Sequence, residues 1–175
     1  MPTPVGHSLG GLAVYLAARW PEKDWFLLGA VVVSALLPDL DFAITPFAGR
    51  SYHHYFTHSL GFTALFAGIA YLVMKRVGRK SPGRDAAIVT AAYLSHIILD
   101  VLTTDTTSPF GVQLLWPFSN AFFISPVTPF TAVWRGSVAI VSGAHNWMAA
   151  GIEVLILLPV VAFFWWLRGR RSQSE

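Results

Sequence analysis

Apolar residues run along this chain in five blocks, each closed by a polar, basic or proline-containing stop. The first covers residues 5–20, contains His7-Ser8-Leu9-Gly10-Gly11-Leu12-Ala13-Val14-Tyr15, and ends on Arg19, Trp20 and Pro21, an aromatic and a charge suited to a water boundary. The second covers 25–37 and meets Pro38-Asp39-Leu40-Asp41. A loop over 43–56 carries Pro46, Gly49 and the cluster Tyr52-His53-His54-Tyr55-Phe56. The third block, 59–74, stops at the basic, breaker-rich stretch 75–84, and the fourth runs from 86 to 102. The fifth, 147–167, is the cleanest and is followed by Arg168-Gly169-Arg170-Arg171. A full crossing takes about 20 residues, so the fifth block predicts a span and the first two predict short or tilted helices.

Between the fourth and fifth blocks the pattern fails. Over 103–135, Pro109, Gly111, Pro117, Pro126 and Pro129 interrupt it every few residues. Its aromatic content, with Trp116, Phe118, Phe122 and Phe123, suits an interfacial or re-entrant loop. No internal repeat or low-complexity tract appears. The expected fold is an all-α membrane protein, a helical bundle of about five membrane-embedded helices with that loop region at 103–135, forming one polytopic domain over 1–175.

Composition supports this class. The chain is 54% hydrophobic and only 12% charged, where soluble domains carry about 25% charged residues. The absence of cysteine excludes disulfides, thiolate catalysis and cysteine-based zinc sites. A pI near 9.5 raises nucleic acid as a partner, but the basic residues flank apolar blocks, which topology explains better, and no nucleic-acid partner is expected. Residues 1–7 lack a basic start, so no cleavable signal peptide is expected.

If five helices alternate, Arg19, Lys23, the Lys/Arg residues of 75–84 and Arg168, Arg170 and Arg171 fall on one side, with only Arg50 and Arg135 on the other. That bias makes the loop 75–84 and the tail 168–175 cytoplasmic and puts the N-terminus outside. The same alternation sorts the metal-binding residue types. His7 begins the first helix, Asp39 and Asp41 end the second, His53, His54 and His58 precede the third, and His96 and Asp100 lie toward the end of the fourth. All fall at the outer ends. His96 and Asp100, four apart, share one helix face. Converging His and Asp residues at a bundle mouth predict a site for a divalent cation, one or two ions, most naturally Zn²⁺ with Mn²⁺ or Mg²⁺ compatible.

Each residue also has a plainer explanation. Asp39 and Asp41 after Pro38 suit a turn. The His53-His54-His58 cluster suits an aromatic belt, with Thr57 or Ser59 capping the next helix. His96 and Asp100 suit an ion pair without metal. His145 has no acidic neighbour and reads as interfacial, Glu153 as a buried partner or further ligand within the last span, and Asp105 among threonines as turn chemistry. Arg50 and Arg135 are candidates for clamping an anionic substrate, with snorkelling to lipid phosphate as an equal account, and Trp116 is a candidate substrate contact.

The motifs Gly6-His7, Leu36-Leu37-Pro38-Asp39-Leu40-Asp41, His53-x-x-x-Thr57-His58-Ser59, Tyr93-Leu94-Ser95-His96-x-x-x-Asp100-x-Leu102-Thr103, and Gly111 followed by Leu114-Leu115-Trp116-Pro117 resemble the YdjM-like family of inner-membrane metal-dependent hydrolases. The resemblance covers residues 5–118. That family is in turn remotely similar to zinc-dependent phospholipases C and fungal single-strand nucleases. The resemblance implies that Asp39 or Asp41, with His58, His96 and Asp100, holds one metal, and that His7 shares Asp100, as a bridging carboxylate, with a second. The family's His-Arg-Gly-x-Thr-His stands here as His53-His54-Tyr55-Phe56-Thr57-His58, without the arginine. A few extra residues lie between Thr103 and Gly111.

The expected function is hydrolysis of a phosphoester of a lipid or lipid-linked substrate by metal-activated water. Asp39, Asp41 or His54 would move the protons. The competing reading is a non-catalytic metal-binding membrane protein, a carrier or accessory subunit. An intramembrane metalloprotease ranks last for want of His-Glu-x-x-His.

Overall fold

The computed structural model describes residues 1–18, 24–44, 47, 52–106, 108–134 and 142–171. Five α-helices carry the described chain: α1 (Pro4–Ala17), α2 (Trp25–Leu36), α3 (Leu60–Arg76), α4 (Pro82–Val101) and α5 (Ala144–Arg171). Two short 3-10 helices, Leu37–Ile44 and Phe56–His58, lie between α2 and α3. Among the described residues there is no strand beyond the isolated bridges Thr103 to Phe130 and Val112 to Phe123. The region 103–134 is otherwise irregular, as its prolines predict.

The starts of these helices follow from local chemistry. Thr3 caps α1, accepting from the Gly6 amide at 3.3 Å, with Pro4 in the first turn where its missing N–H costs nothing. Asp24 caps α2 through the Leu27 amide at 3.0 Å. Ser59, rather than Thr57, caps α3: its Oγ accepts from the Phe62 amide at 3.0 Å and donates to the Phe56 carbonyl at 2.6 Å. Pro82 opens α4 four residues before the apolar block begins, because proline favours the first turn of a helix. The Pro38 stop is softer than expected. It has no N–H to offer the Ser34 carbonyl, so the α ladder ends at Leu36, yet the chain continues as the 3-10 helix that carries Asp39 and Asp41.

Helix α4 is the central element, packed against α1, α2 and α3, while α1 also meets α2 and α5. Tyr15, Leu27, Val31, Ala35, Ala70, Met74, Val89 and Ala92 form one core cluster. Tyr93 and Ile97 lead a second one nearer the histidines. The outward faces of α3 and α5 remain apolar, with Leu65, Ile69 and Leu72 on one and Leu155, Leu158, Phe163, Trp165 and Trp166 on the other. Among the described residues two stretches, Trp25–Phe42 and Ala144–Arg170, are long and apolar enough to cross a bilayer. At 14 residues α1 is only about 21 Å long, too short to cross on its own.

Candidate metal centre

Four chain segments bring their ionisable residues to one end of the bundle. His7 lies in the first turn of α1 and Asp39 and Asp41 in the 3-10 helix after α2. His53, His54 and His58 precede α3, and His96 and Asp100 occupy the last turns of α4. His7, His58 and His96 are fully buried, and Asp41, His53, His54 and Asp100 nearly so. Arg50 and Arg135 lie outside the described residues.

At the centre is a quartet in which Asp39 and Asp100 each approach the same two imidazole nitrogens. His58 Nε2 and His96 Nε2 are 3.2 Å apart. Asp100 Oδ2 is 3.3 Å from the first and 3.1 Å from the second. Asp39 Oδ1 is 3.8 Å and 3.6 Å from the same two nitrogens. Ligands at zinc–nitrogen and zinc–oxygen distances of about 2.0–2.2 Å in a tetrahedron lie about 3.3–3.6 Å apart. The five measured edges straddle that value, and two overlapping trios, Asp39 with His58 and His96 and His7 with His96 and Asp100, have donor atoms close enough together to hold a small divalent cation. Their bonding state agrees: neither Asp100 oxygen nor Asp39 Oδ1 makes a hydrogen bond, although all three atoms are buried. Leaving such atoms without partners is costly unless something compensates them.

The surrounding groups aim these donors. His96 Nδ1 donates to the Ala35 carbonyl at 2.7 Å, which leaves Nε2 as the lone-pair nitrogen facing the quartet. Asp41 faces the other side of His58, with Oδ2 3.4 Å from Nδ1, and it also accepts from the Thr57 hydroxyl and meets His53 Nδ1, each at 3.0 Å. The two aspartates of Asp39-Leu40-Asp41 therefore stand in different places, one toward the quartet and one behind it. Tyr93 ties the loop to α4 by donating to the Thr57 carbonyl at 2.5 Å.

A second grouping adjoins the first. His7 stacks on His96 with ring centroids 3.6 Å apart, and its Nε2 lies 3.7 Å from Asp100 Oδ1. Neither His7 nitrogen makes a hydrogen bond. The two oxygens of Asp100 thus face different groups, which is what a bridging carboxylate requires.

Burial pushes the His53 imidazole down to about 3 despite its hydrogen bond to Asp41. It also lowers His54, against the pull of Asp105 and Asp100. His58 moves the other way: burial opposes it, but the negative charges of Asp100, Asp39 and Asp41 around it lift it well above its ordinary value.

Several participants carried no sequence signal for these placements. The Ala35 carbonyl has no side-chain motif. Asp105, expected in turn chemistry, does accept from the Gly111 amide at 2.9 Å, and it also lies 3.5 Å from His54 Nδ1. Glu153 sits at the start of α1, where Oε1 accepts from the Thr3 amide at 2.7 Å and Oε2 from the Thr3 hydroxyl and the Gly6 amide. His145 donates to the Ala132 carbonyl at 2.9 Å and stacks on Trp134, away from the histidine cluster. Trp116 packs near Phe56 with centroids 6.0 Å apart, in the loop above α3 and outside the donor quartet.

With this geometry in hand, the chain can be set beside known proteins. It is 33% identical over 140 residues to the inner membrane protein YbcI of Escherichia coli (strain K12), covering 74% of this chain and 79% of that protein. It is 31% identical over 147 residues to the inner membrane protein YdjM of the same organism, covering 73% and 71%. No solved structure matches significantly. The sequence profile described as YdjM inner membrane protein matches residues 1–172, and the chain belongs to that family.

Proposed function

We propose that this chain is a membrane-embedded, metal-dependent hydrolase that cleaves a phosphoester of a lipid or lipid-linked substrate at the outer face of the inner membrane. The observation that carries the reading is the quartet of Asp39, His58, His96 and Asp100, whose donor atoms lie 3.1–3.8 Å apart along the five measured edges. These four would hold a first divalent cation, zinc foremost, and His7 with the second oxygen of Asp100 would face another. A cation so held acts as a Lewis acid and brings the pKa of a bound water toward neutrality. Asp41 and the Ala35 carbonyl orient the ligand histidines. Of the residues expected to move protons, Asp39 faces the quartet and Asp41 is engaged by His53 and Thr57. That leaves His54, whose Nε2 makes no hydrogen bond.

The lipid class rests on what surrounds the site. The loop over 110–134 packs on the histidine segment, with the Gln113 amide donating to the His54 carbonyl at 2.8 Å and Phe122 edge-on to Tyr55. That loop exposes Phe110, Phe118, Val127 and Trp134, an apolar rim suited to a bilayer interface. An amphiphile reaches such a site sideways, whereas a soluble ester gains nothing from the membrane. With the basic ends of the helices cytoplasmic, the cluster faces outward.

The test has two steps. Purified protein should carry about one or two zinc-class ions per chain, and a screen of phospholipids and polyprenyl phosphates should reveal metal-dependent hydrolysis. Native protein without affinity for any divalent metal ends the proposal. Metal bound with no phosphate ester turned over leaves the non-catalytic metal-binding reading in its place.

A further inference from the structure

His54 and Asp105 stand beside the quartet without being needed to complete it. His54 is the only described non-glycine residue with positive φ, at 69°. That conformation is strained for an L residue, so something must maintain it. The Gln113 amide does so by bonding the His54 carbonyl at 2.8 Å. The ring is thereby turned inward, with Nδ1 3.5 Å from Asp105 Oδ2 and Nε2 3.9 Å from Asp100 Oδ2. Asp105 is itself held, since the same Oδ2 accepts from the Gly111 amide at 2.9 Å. Gly111 has φ of 92°, and a Cβ there would run into the Phe123 carbonyl, so the turn that offers this amide requires glycine.

We infer that Asp105 is a positioning residue for His54. It holds the ring as the Nδ1–H tautomer and presents the Nε2 lone pair to the quartet, as the hydrogen-bond acceptor that orients the attacking water. The inference rests on the hydrolase reading above. Nε2 is too far from Asp100 Oδ2 for a direct contact, and the 3.9 Å gap is one that a single water bridges. Its partner on the far nitrogen is a carboxylate, the arrangement that fixes the tautomer of a functional histidine.

The experiment uses the full chain in detergent with 15N-labelled histidine. His54, assigned by the signal lost in His54→Gln, should show the Nδ1–H tautomer. Asp105→Ala should shift it toward Nε2–H. Asp105→Asn, which keeps a carbonyl oxygen for both Nδ1–H and the Gly111 amide, should retain it and guards against simple misfolding. An unchanged tautomer in Asp105→Ala overturns the inference. Cobalt loading separates a water-orienting His54 from a metal ligand. His54→Gln should leave stoichiometry and the visible cobalt spectrum as they are, and an altered spectrum overturns the inference. On a phospholipid found to be hydrolysed, His54→Gln and Asp105→Ala should lower kcat about 100-fold with KM unchanged, with Asp105→Asn recovering most of it. An unchanged kcat overturns the inference. The tautomer is read whether or not any ester turns over, so failure of the hydrolase reading shows as absent turnover and failure of the positioning role as an Asp105-independent tautomer.

Discussion

At the end of the bundle where α2 and α4 begin, Arg79 draws two carboxylates together. Its guanidinium pairs with Asp24, its Nε donates to Asp85 at 2.5 Å, and its plane lies over Phe26. Both anions and their cation come from the chain, and they staple the α3–α4 turn to the starts of α2 and α4. At the opposite end Asp39, Asp41 and Asp100 face histidines, and no described lysine or arginine forms an ion pair with any of them. Buried charge is expensive at either end. One end answers it internally, and the other leaves the answer to a cation from solution or to a proton on His58. The first arrangement serves stability, and under the proposed function the second serves binding.

The comparison breaks most sharply at Asp100. Its two oxygens face His58 and His96 on one side and His7 on the other. Asp100→Ala should reduce bound zinc to background by elemental analysis, the largest effect expected anywhere in the chain. Retention of a full complement would mean that the carboxylate does not hold the ion.

The Arg79 end predicts the reverse pattern. Arg79→Met strands the buried carboxylate of Asp85 and should destabilise the protein by about 1–3 kcal/mol, below the 3–5 of a fully buried pair because Arg79 is 20% exposed. Thermal unfolding in detergent should show a lower Tm with zinc content unchanged. Acid should weaken the same staple. Burial raises the Asp24 carboxyl, but hydrogen bonds from Arg79 and the Leu27 amide outweigh it and hold the pKa below its ordinary value of 3.8. Its contribution is therefore present above that value and lost as pH falls through the lower folded one.

The contrast between the ends was only half legible in the chain. Helix alternation placed His7, Asp39, Asp41, His53, His54, His58, His96 and Asp100 at one end because it needs only the order of apolar blocks and the spacing of His96 and Asp100. It could not separate Asp39 from Asp41, because their division of labour depends on the 3-10 geometry that follows Pro38. Nor could it find Asp105, since the contact between Asp105 and His54 spans 51 positions and depends on a positive φ at a non-glycine residue. The basic residues flanking the apolar blocks carry a topology signal. That Arg79 is also a structural clamp needed coordinates, because arginine in a basic loop usually points to water.

The histidine end should also respond to pH in a way the Arg79 end does not. With Asp100, Asp39 and Asp41 lifting His58 above its ordinary 6.5 against burial, the metal-free protein keeps a proton there. This group contributes stability that is fully present below 6.5 and is lost as pH rises through the raised folded value. A metal ion must displace that proton. Below the raised value the apparent zinc affinity should fall about tenfold, about 1.4 kcal/mol, per pH unit of acidification. Calorimetry in buffers of different ionisation enthalpy should register about one proton released. Zinc should also restore the alkaline stability that the metal-free protein loses. A pH-independent affinity would place the ion away from His58.

The smallest effect separates the two groupings within the histidine end. His58 and His96 are each steadied by a group behind the ring, Asp41 and the Ala35 carbonyl, whereas neither nitrogen of His7 makes a hydrogen bond. His7 is placed by α1 and by its stacking on His96, and Glu153 holds the start of α1 from the neighbouring α5. Gly6, next to His7, is there for clearance, since a Cβ would come within 2.5 Å of Glu153 Oε2. Glu153→Gln keeps one acceptor oxygen and loses the other, a cost of about 1 kcal/mol. It should leave the tighter class of zinc sites untouched and weaken the second class about fivefold, as read by titration against a competing chelator. If the tighter class weakens instead, His7 belongs to the first ion and the two groupings are one site. If neither moves, the orientation of His7 does not depend on the helix start that carries it.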